Sequence, residues 1–176
     1  MLITPRTHLV SDPFDDLALL RAALLPLATA PTGPGWNLDE IADIVDASTL
    51  IHAAVLVGLV SRPQGTHVLL TRRTDSLTNH AGQVSFPGGR IEPEDLSAQH
   101  AALRETWEEV VIEPDTIDPI GFLDPYVTIT GFHVLPLVAR LPPDYSAIPN
   151  PGEVAAAFEV PLAPLLTGDR LLARSG

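Results

Sequence analysis

Phe86-Pro87-Gly88-Gly89-Arg90 leads within fifteen residues into Arg104-Glu105-Thr106-Trp107-Glu108-Glu109. On a helical wheel of about 100° per residue, Glu105, Glu108 and Glu109 fall within an arc of roughly 100°, and Ala98 and Ala101 lie one to two turns earlier on the same arc. Leu103, Trp107 and Val110 occupy the other side and are the expected core-facing stripe. Like charges at this spacing destabilise a helix, and the macrodipole disfavours anions near its C-terminus. A helix that served only as solvated surface would mix Lys or Arg into this face. Carboxylates gathered against both preferences are what an oxygen-ligated Mg²⁺ or Mn²⁺ requires.

Charge elsewhere points the same way. The 176 residues carry 22 Asp+Glu against 10 Lys+Arg, for a net charge of -12, and every cation among the ten is Arg. From Glu92 to Asp118 there are nine carboxylates and a single Arg. So acidic a chain argues against a nucleic-acid surface and against a polybasic membrane patch. The absence of Cys excludes disulfides, thiolate zinc sites and cysteine nucleophiles. The longest apolar run, Ala53 to Val60, is eight residues, too short to span a bilayer. The N-terminus has no apolar core of a signal peptide, so the expected compartment is cytoplasmic.

The length suits one domain over 1–176. Ser11-Asp12-Pro13 offers a cap and a first-turn Pro for an N-terminal helix over 12–28, with Leu17, Leu20 and Leu24 at helical spacing. Residues 29–37 read as a loop. Ala53–Val60 and Val68–Thr71 flank Arg62-Pro63-Gln64-Gly65 in a strand–turn–strand pattern. Ser97–Val111 reads as a helix; Ile120–Leu123, Val127–Thr130, Phe132–Leu141 and Phe158–Pro161 read as strands. Strands following one another with few helices between them favour an α+β fold.

Gly89 through Ile112 resembles the Nudix box of hydrolases that act on a nucleoside diphosphate linked to another moiety. The match departs from the usual pattern at Asp95, which stands for the first Glu, and in a spacer to Arg104 one residue longer. Thr106 replaces an apolar residue, and Val111 replaces a Gly. Leu69 to Thr74, His80 to Gly89, Thr130 to Val134 and the segment Pro149-Asn150-Pro151-Gly152-Glu153-Val154 are similar to the coenzyme A pyrophosphatase branch. That branch has Arg where Thr78 stands and continues beyond Leu166 with a strand and helix for which a chain ending at Gly176 has little room.

The resemblance implies an α/β/α sandwich with a mixed central sheet, and hydrolysis of coenzyme A or acyl-coenzyme A to (acyl-)4′-phosphopantetheine and adenosine 3′,5′-bisphosphate. It implies Mg²⁺ or Mn²⁺ on Glu105 and Glu109 with Glu108 sharing the site, a backbone carbonyl near Gly88 or Gly89 joining them, and Arg104 orienting the carboxylates. Glu153, an isolated carboxylate in the branch-like segment, is the candidate base or extra ligand. Substrate contacts fall to Arg73, Arg90 and His80. Arg72 and Arg73 point to opposite faces of a strand, and the branch signature selects Arg73. Thr78 and the short C-terminus motivate a different substrate, ADP-ribose or a dinucleotide, and Val111 motivates a weakly catalytic nucleotide-binding module. The partner is a small nucleotide; a homodimer is left open.

Overall fold

The computed structural model describes residues 12, 14, 16–74 and 82–167. Its frame is a hairpin whose arms part. β1 (Ile51–Arg62) and β2 (Gly65–Arg73) are rich in Val and Leu and pair antiparallel only where Leu59–Arg62 meets Gly65–Val68. Beyond Leu59 the strands diverge. β3 (Val84–Ser85) pairs with β2 and β4 (Gly88–Arg90) with β1, so Phe86-Pro87-Gly88-Gly89 is drawn into the gap between them. β7 (Phe132–Arg140) runs parallel to β1, and β5 (Asp118–Phe122) and β6 (Tyr126–Val127) lie antiparallel to β7. β8 (Val154–Pro161) pairs antiparallel with β2. The sheet is therefore mixed.

Both faces are covered. α2 (Ala98–Val110) packs on one, where Ala54, Leu56, Leu69, Leu135 and Leu137 form the larger core with Ala98, Ala101, Ala102 and Val110. On the other, Val57, Leu59, Val68, Ile120 and Val138 meet Leu17 and Leu20 of α1 (Leu17–Ala23), Leu24 just after it, and Leu162 of α3 (Leu162–Thr167). Helix–sheet–helix layering around a mixed sheet is the expected sandwich. Among the described residues no helix is long and apolar enough to cross a membrane.

The N-terminal helix is shorter than the 12–28 expected. Asp16, not Asp12, caps it, accepting from the Ala18 and Leu19 amides. Asp12 accepts from the Phe14 and Thr66 amides, which ties Asp12 to the β1–β2 turn. The helix ends at Ala23 because Leu25, which precedes Pro26, is held extended and exchanges two 2.8 Å backbone bonds with Phe122.

The orientation of α2 also differs from expectation. Its buried residues are Ala98, Ala101, Ala102, Thr106, Glu109 and Val110, whereas Trp107 is 38% exposed. The expected stripe of Leu103, Trp107 and Val110 thus supplies only Val110 to the interior, with Leu103 packed at the margin. The small residues explain this: an alanine face lets the helix settle close against Gly88-Gly89, where larger side chains would hold it off. The one buried hydroxyl on that face, Thr106 Oγ1, donates to Ala102 O at 2.7 Å.

Ser97 caps the start of α2 through the His100 amide, and Val111 closes its end with φ 55° and ψ 38°. A β-branched residue in the left-handed region is strained by about 1–2 kcal/mol. Val111→Gly is therefore expected to raise unfolding free energy by about 1 kcal/mol, after the added flexibility of the unfolded chain is discounted; urea denaturation at neutral pH checks this.

Candidate functional site

The carboxylates of α2 are graded in exposure. The Glu108 side chain is 49% exposed, that of Glu105 16%, and Glu109 as a residue only 2%. The Gly88 amide donates to Glu109 Oε2 at 3.3 Å, and Arg73 Nη1 lies 3.9 Å from Glu109 Oε1. Both contacts are long, so burial dominates and pushes the Glu109 carboxyl up to about 7, helped by the charges of Glu105 and Glu153. Glu105 is raised for the same first reason, burial, against the opposing pull of Arg104.

Arg104 organises the other two. Its Nε and Nη2 grip Asp95 in a bidentate pair, both at 2.9 Å, while Nη1 donates to Glu105 Oε1 at 2.9 Å and Glu108 Oε2 at 3.2 Å. Nη2 also donates to Arg90 O at 3.1 Å, which ties α2 to β4. The Asp95 side chain is 1% exposed, and the Arg104 guanidinium holds its carboxyl well below the usual range. The residue in place of the family's first Glu is thus the anchor of the arginine that orients the next two.

The glycines set how closely strand and helix approach. A Cβ on Gly89 would overlap the Glu105 carboxylate, and one on Gly88, at φ 146°, would overlap the backbone at Ala54 and Val55. Pro87 O accepts from the Leu56 amide at 2.8 Å and fixes the loop against β1.

Glu153 enters from the other side. The Asn150 amide donates to Glu109 O at 2.8 Å and Asn150 Nδ2 to Glu108 O at 3.3 Å, so the last turn of α2 is closed by the Pro149-Asn150-Pro151 segment. Asn150 O then accepts from the Glu153 and Val154 amides, and the Glu153 carboxylate falls within the electrostatic field of Glu105 and Glu109. Asn150 is a positioning residue that the reading of motifs missed; an Asn between two prolines at a helix end was the available signal.

The structure therefore brings together Glu105, Glu108, Glu109, Arg104, Arg73, Glu153, Gly88 and Gly89. Arg90 joins only through its backbone carbonyl: its guanidinium lies 5.8 Å over the Phe132 ring. His80 and Thr78 lie outside the described residues. Among the described residues no three His, Asp or Glu side chains already converge on one ion; Arg104 occupies the oxygens of Glu105 and Glu108 that face it. The donor set nevertheless fits a hard cation. It is all oxygen, it includes a buried carboxylate with two long contacts, and its members repel one another.

Comparison with known proteins agrees in range with this site. A model of the NUDIX domain matches residues 50–174. The chain is similar to proteins named uncharacterised Nudix hydrolase NudL. The Cronobacter sakazakii protein is 51% identical over 114 residues, 65% of this chain and 59% of that one. The Escherichia coli K12 protein is 48% identical over 124 residues, 69% of this chain and 64% of that one. The chain thus spans about three fifths of the length of the curated relatives it matches. Among solved structures, the Nudix hydrolase RenU from M. smegmatis superposes with TM-score 0.56 at 20% identity, over 66% of this chain and 74% of that one. An Ap4A hydrolase from C. elegans gives 0.54 at 21%, over 65% and 83%. At such identities the likeness concerns the fold alone.

The Asp95–Arg104 pair has a pH signature. A carboxyl depressed in the folded state contributes stability above its ordinary value of 3.8 and loses it as pH falls below that toward the native value. Asp95→Asn is expected to cost about 2 kcal/mol at pH 7, as charge-assisted bonds to a largely buried partner are removed. The gap between variant and wild type should narrow below pH 3.8, which urea titrations at pH 7 and pH 3 would measure.

Proposed function

Since this chain belongs to the Nudix family, we propose that it hydrolyses the pyrophosphate of coenzyme A or acyl-coenzyme A, releasing (acyl-)4′-phosphopantetheine and adenosine 3′,5′-bisphosphate. The observation that carries the reading is the buried, under-compensated carboxylate of Glu109 beside Arg73 and opposite Glu153. The branch-like segments around Arg73 and Glu153 supply the substrate class.

Glu105 and Glu109 would hold Mg²⁺ or Mn²⁺, with Glu108 sharing the site and a backbone oxygen at Gly88 or Gly89 close by. When bound, such a cation offsets the charge of the pyrophosphate oxygens and lowers the pKa of water. Arg104 keeps Glu105 and Glu108 in one orientation, and Asp95 keeps Arg104 in place. Arg73, whose Nη1 lies 3.9 Å from Glu109, would face the incoming phosphate. The Glu153 carboxylate takes the proton of the attacking water as its oxygen bonds to phosphorus. The bridging P–O bond breaks, and its electron pair leaves on a phosphate monoester oxygen. Glu153 belongs to a segment hydrogen-bonded to the end of α2, so base and metal ligands keep a fixed relation.

Incubation with coenzyme A and Mg²⁺, with products separated by chromatography, tests the reading. Turnover is expected in wild type, with a loss of several orders of magnitude in Glu109→Gln, which keeps size and removes a charged ligand, and near-normal rates in the surface control Asp144→Asn. Turnover of ADP-ribose or a dinucleotide with coenzyme A left intact would replace the substrate. Metal-independent binding with no turnover of any of them would replace the hydrolase by a nucleotide-binding module.

A further inference from the structure

Trp36 is 65% exposed and Tyr126 40% exposed, yet their rings lie 5.9 Å apart at 39°, on a foundation built to hold them there. The Trp36 amide donates to Pro125 O at 2.9 Å. Asn37, 5% exposed, donates to Val127 O at 2.7 Å and accepts from the Val127 amide at 2.8 Å. Gly35 has no room for a Cβ against Val127, and Gly33 O is bonded to His133 Nε2 at 3.0 Å. A loop held at this many points presents an indole to water, although burying it would be favourable. Single exposed aromatics need no explanation; a paired and anchored one invites a ligand.

The sheet register extends this platform. Arg90 is opposite Ala53, Ala53 opposite Val134, and Val134 opposite Tyr126, so the four lie on one line across β4, β1, β7 and β6 and share a face. Three strand spacings separate Arg90 from Tyr126, about 14 Å at the backbone. The Arg90 guanidinium shortens that distance by leaning over Phe132, two residues from Val134 on the same face. The result is an apolar floor of the half-buried Val134 and Phe132 with Ala53 buried beneath it, aromatic rings at one end and a cation at the other. In a chain with net charge -12, that cation selects an anion.

We propose that Trp36 and Tyr126 form a stacking site for a purine base, with Arg90 receiving a phosphate of the same nucleoside phosphate. Arg90 follows Gly89, the residue against Glu105, so the cationic end of the platform is adjacent to the carboxylate site along the backbone but on the opposite face of the sheet. A nucleotide on the platform would bring its phosphate end to the carboxylate site by passing around the end of the sheet beside β4. The inference deepens the hydrolase reading by naming where the base is held, and it rests on that reading for the choice of ligand. Base stacking tolerates varied substituents on the far end of the substrate.

The chain has two Trp, so in a Trp107→Phe background Trp36 alone reports binding by fluorescence. Titration with adenosine 3′,5′-bisphosphate in EDTA should quench Trp36 saturably. Tyr126→Ala and Arg90→Gln should each weaken the apparent affinity about tenfold, Arg90→Gln also flattening its salt dependence. The exposed surface control Asp144→Asn should leave it unchanged. Absence of quenching, equal quenching by ribose 5-phosphate, which lacks a base, or affinity unmoved by both substitutions would overturn the inference. Coenzyme A turnover without quenching of Trp36 overturns it while leaving the hydrolase reading intact; quenching without turnover supports it and rejects the hydrolase.

Discussion

Glu109 sits in the last turn of α2 with 2% of its surface exposed, against a strand whose glycines allow the contact. Withdrawing a carboxylate from water costs several kcal/mol unless it is paired at short range. Here the two compensating groups, the Gly88 amide and Arg73, stand at 3.3 and 3.9 Å. The rest of the site is arranged around that incomplete compensation. Arg104 is committed to Asp95, Glu105 and Glu108 and leaves Glu109 alone. Glu153 adds negative charge to the same place. Such an arrangement favours a proton on Glu109 or a multivalent cation, and an oxygen-only donor set favours a hard one.

The scaffold makes the arrangement repeatable. Because β1 and β2 part after four paired positions, residues 84–90 are captured between them, and the Gly-Gly pair is presented as a strand instead of a loose loop. α2 then crosses with its alanine face down, so the same close approach that buries Ala101 and Ala102 buries Glu109. At the helix end, Asn150 fastens the segment bearing Glu153 to the carbonyls of Glu108 and Glu109. One helix thus connects the core, the carboxylates and the opposing loop.

The start of α2 is legible because the Ser97 cap is local, whereas Val111, a β-branched residue in the left-handed region, gives its end no such sign. The β1–β2 hairpin was legible for the same reason, from its turn and its runs of Val and Leu. Hydrophobicity ranks Trp107 above Ala101 and so points to the wrong inward face of α2, whereas packing against glycine rewards small size. Helical leucine spacing continues to Leu24 and so overstates α1, while the pairing of Leu25 with Phe122 that ends it is a long-range contact. Arg104, Glu105, Glu108 and Glu109 could be placed from spacing. The bidentate hold of Asp95, the role of Asn150 and the Trp36–Tyr126 pair depend on contacts between distant segments, and no periodicity announces those.

Glu109 is proposed above as a ligand of a divalent cation, and its burial with only long-range compensation is what that role rests on. Mn²⁺ binding to the substrate-free protein, followed by electron paramagnetic resonance, tests it most directly. Wild type is expected to bind Mn²⁺, and Glu109→Gln to weaken binding at least ~10-fold, as when a charged ligand is removed from a site of this kind. Equal binding by the two proteins would contradict it.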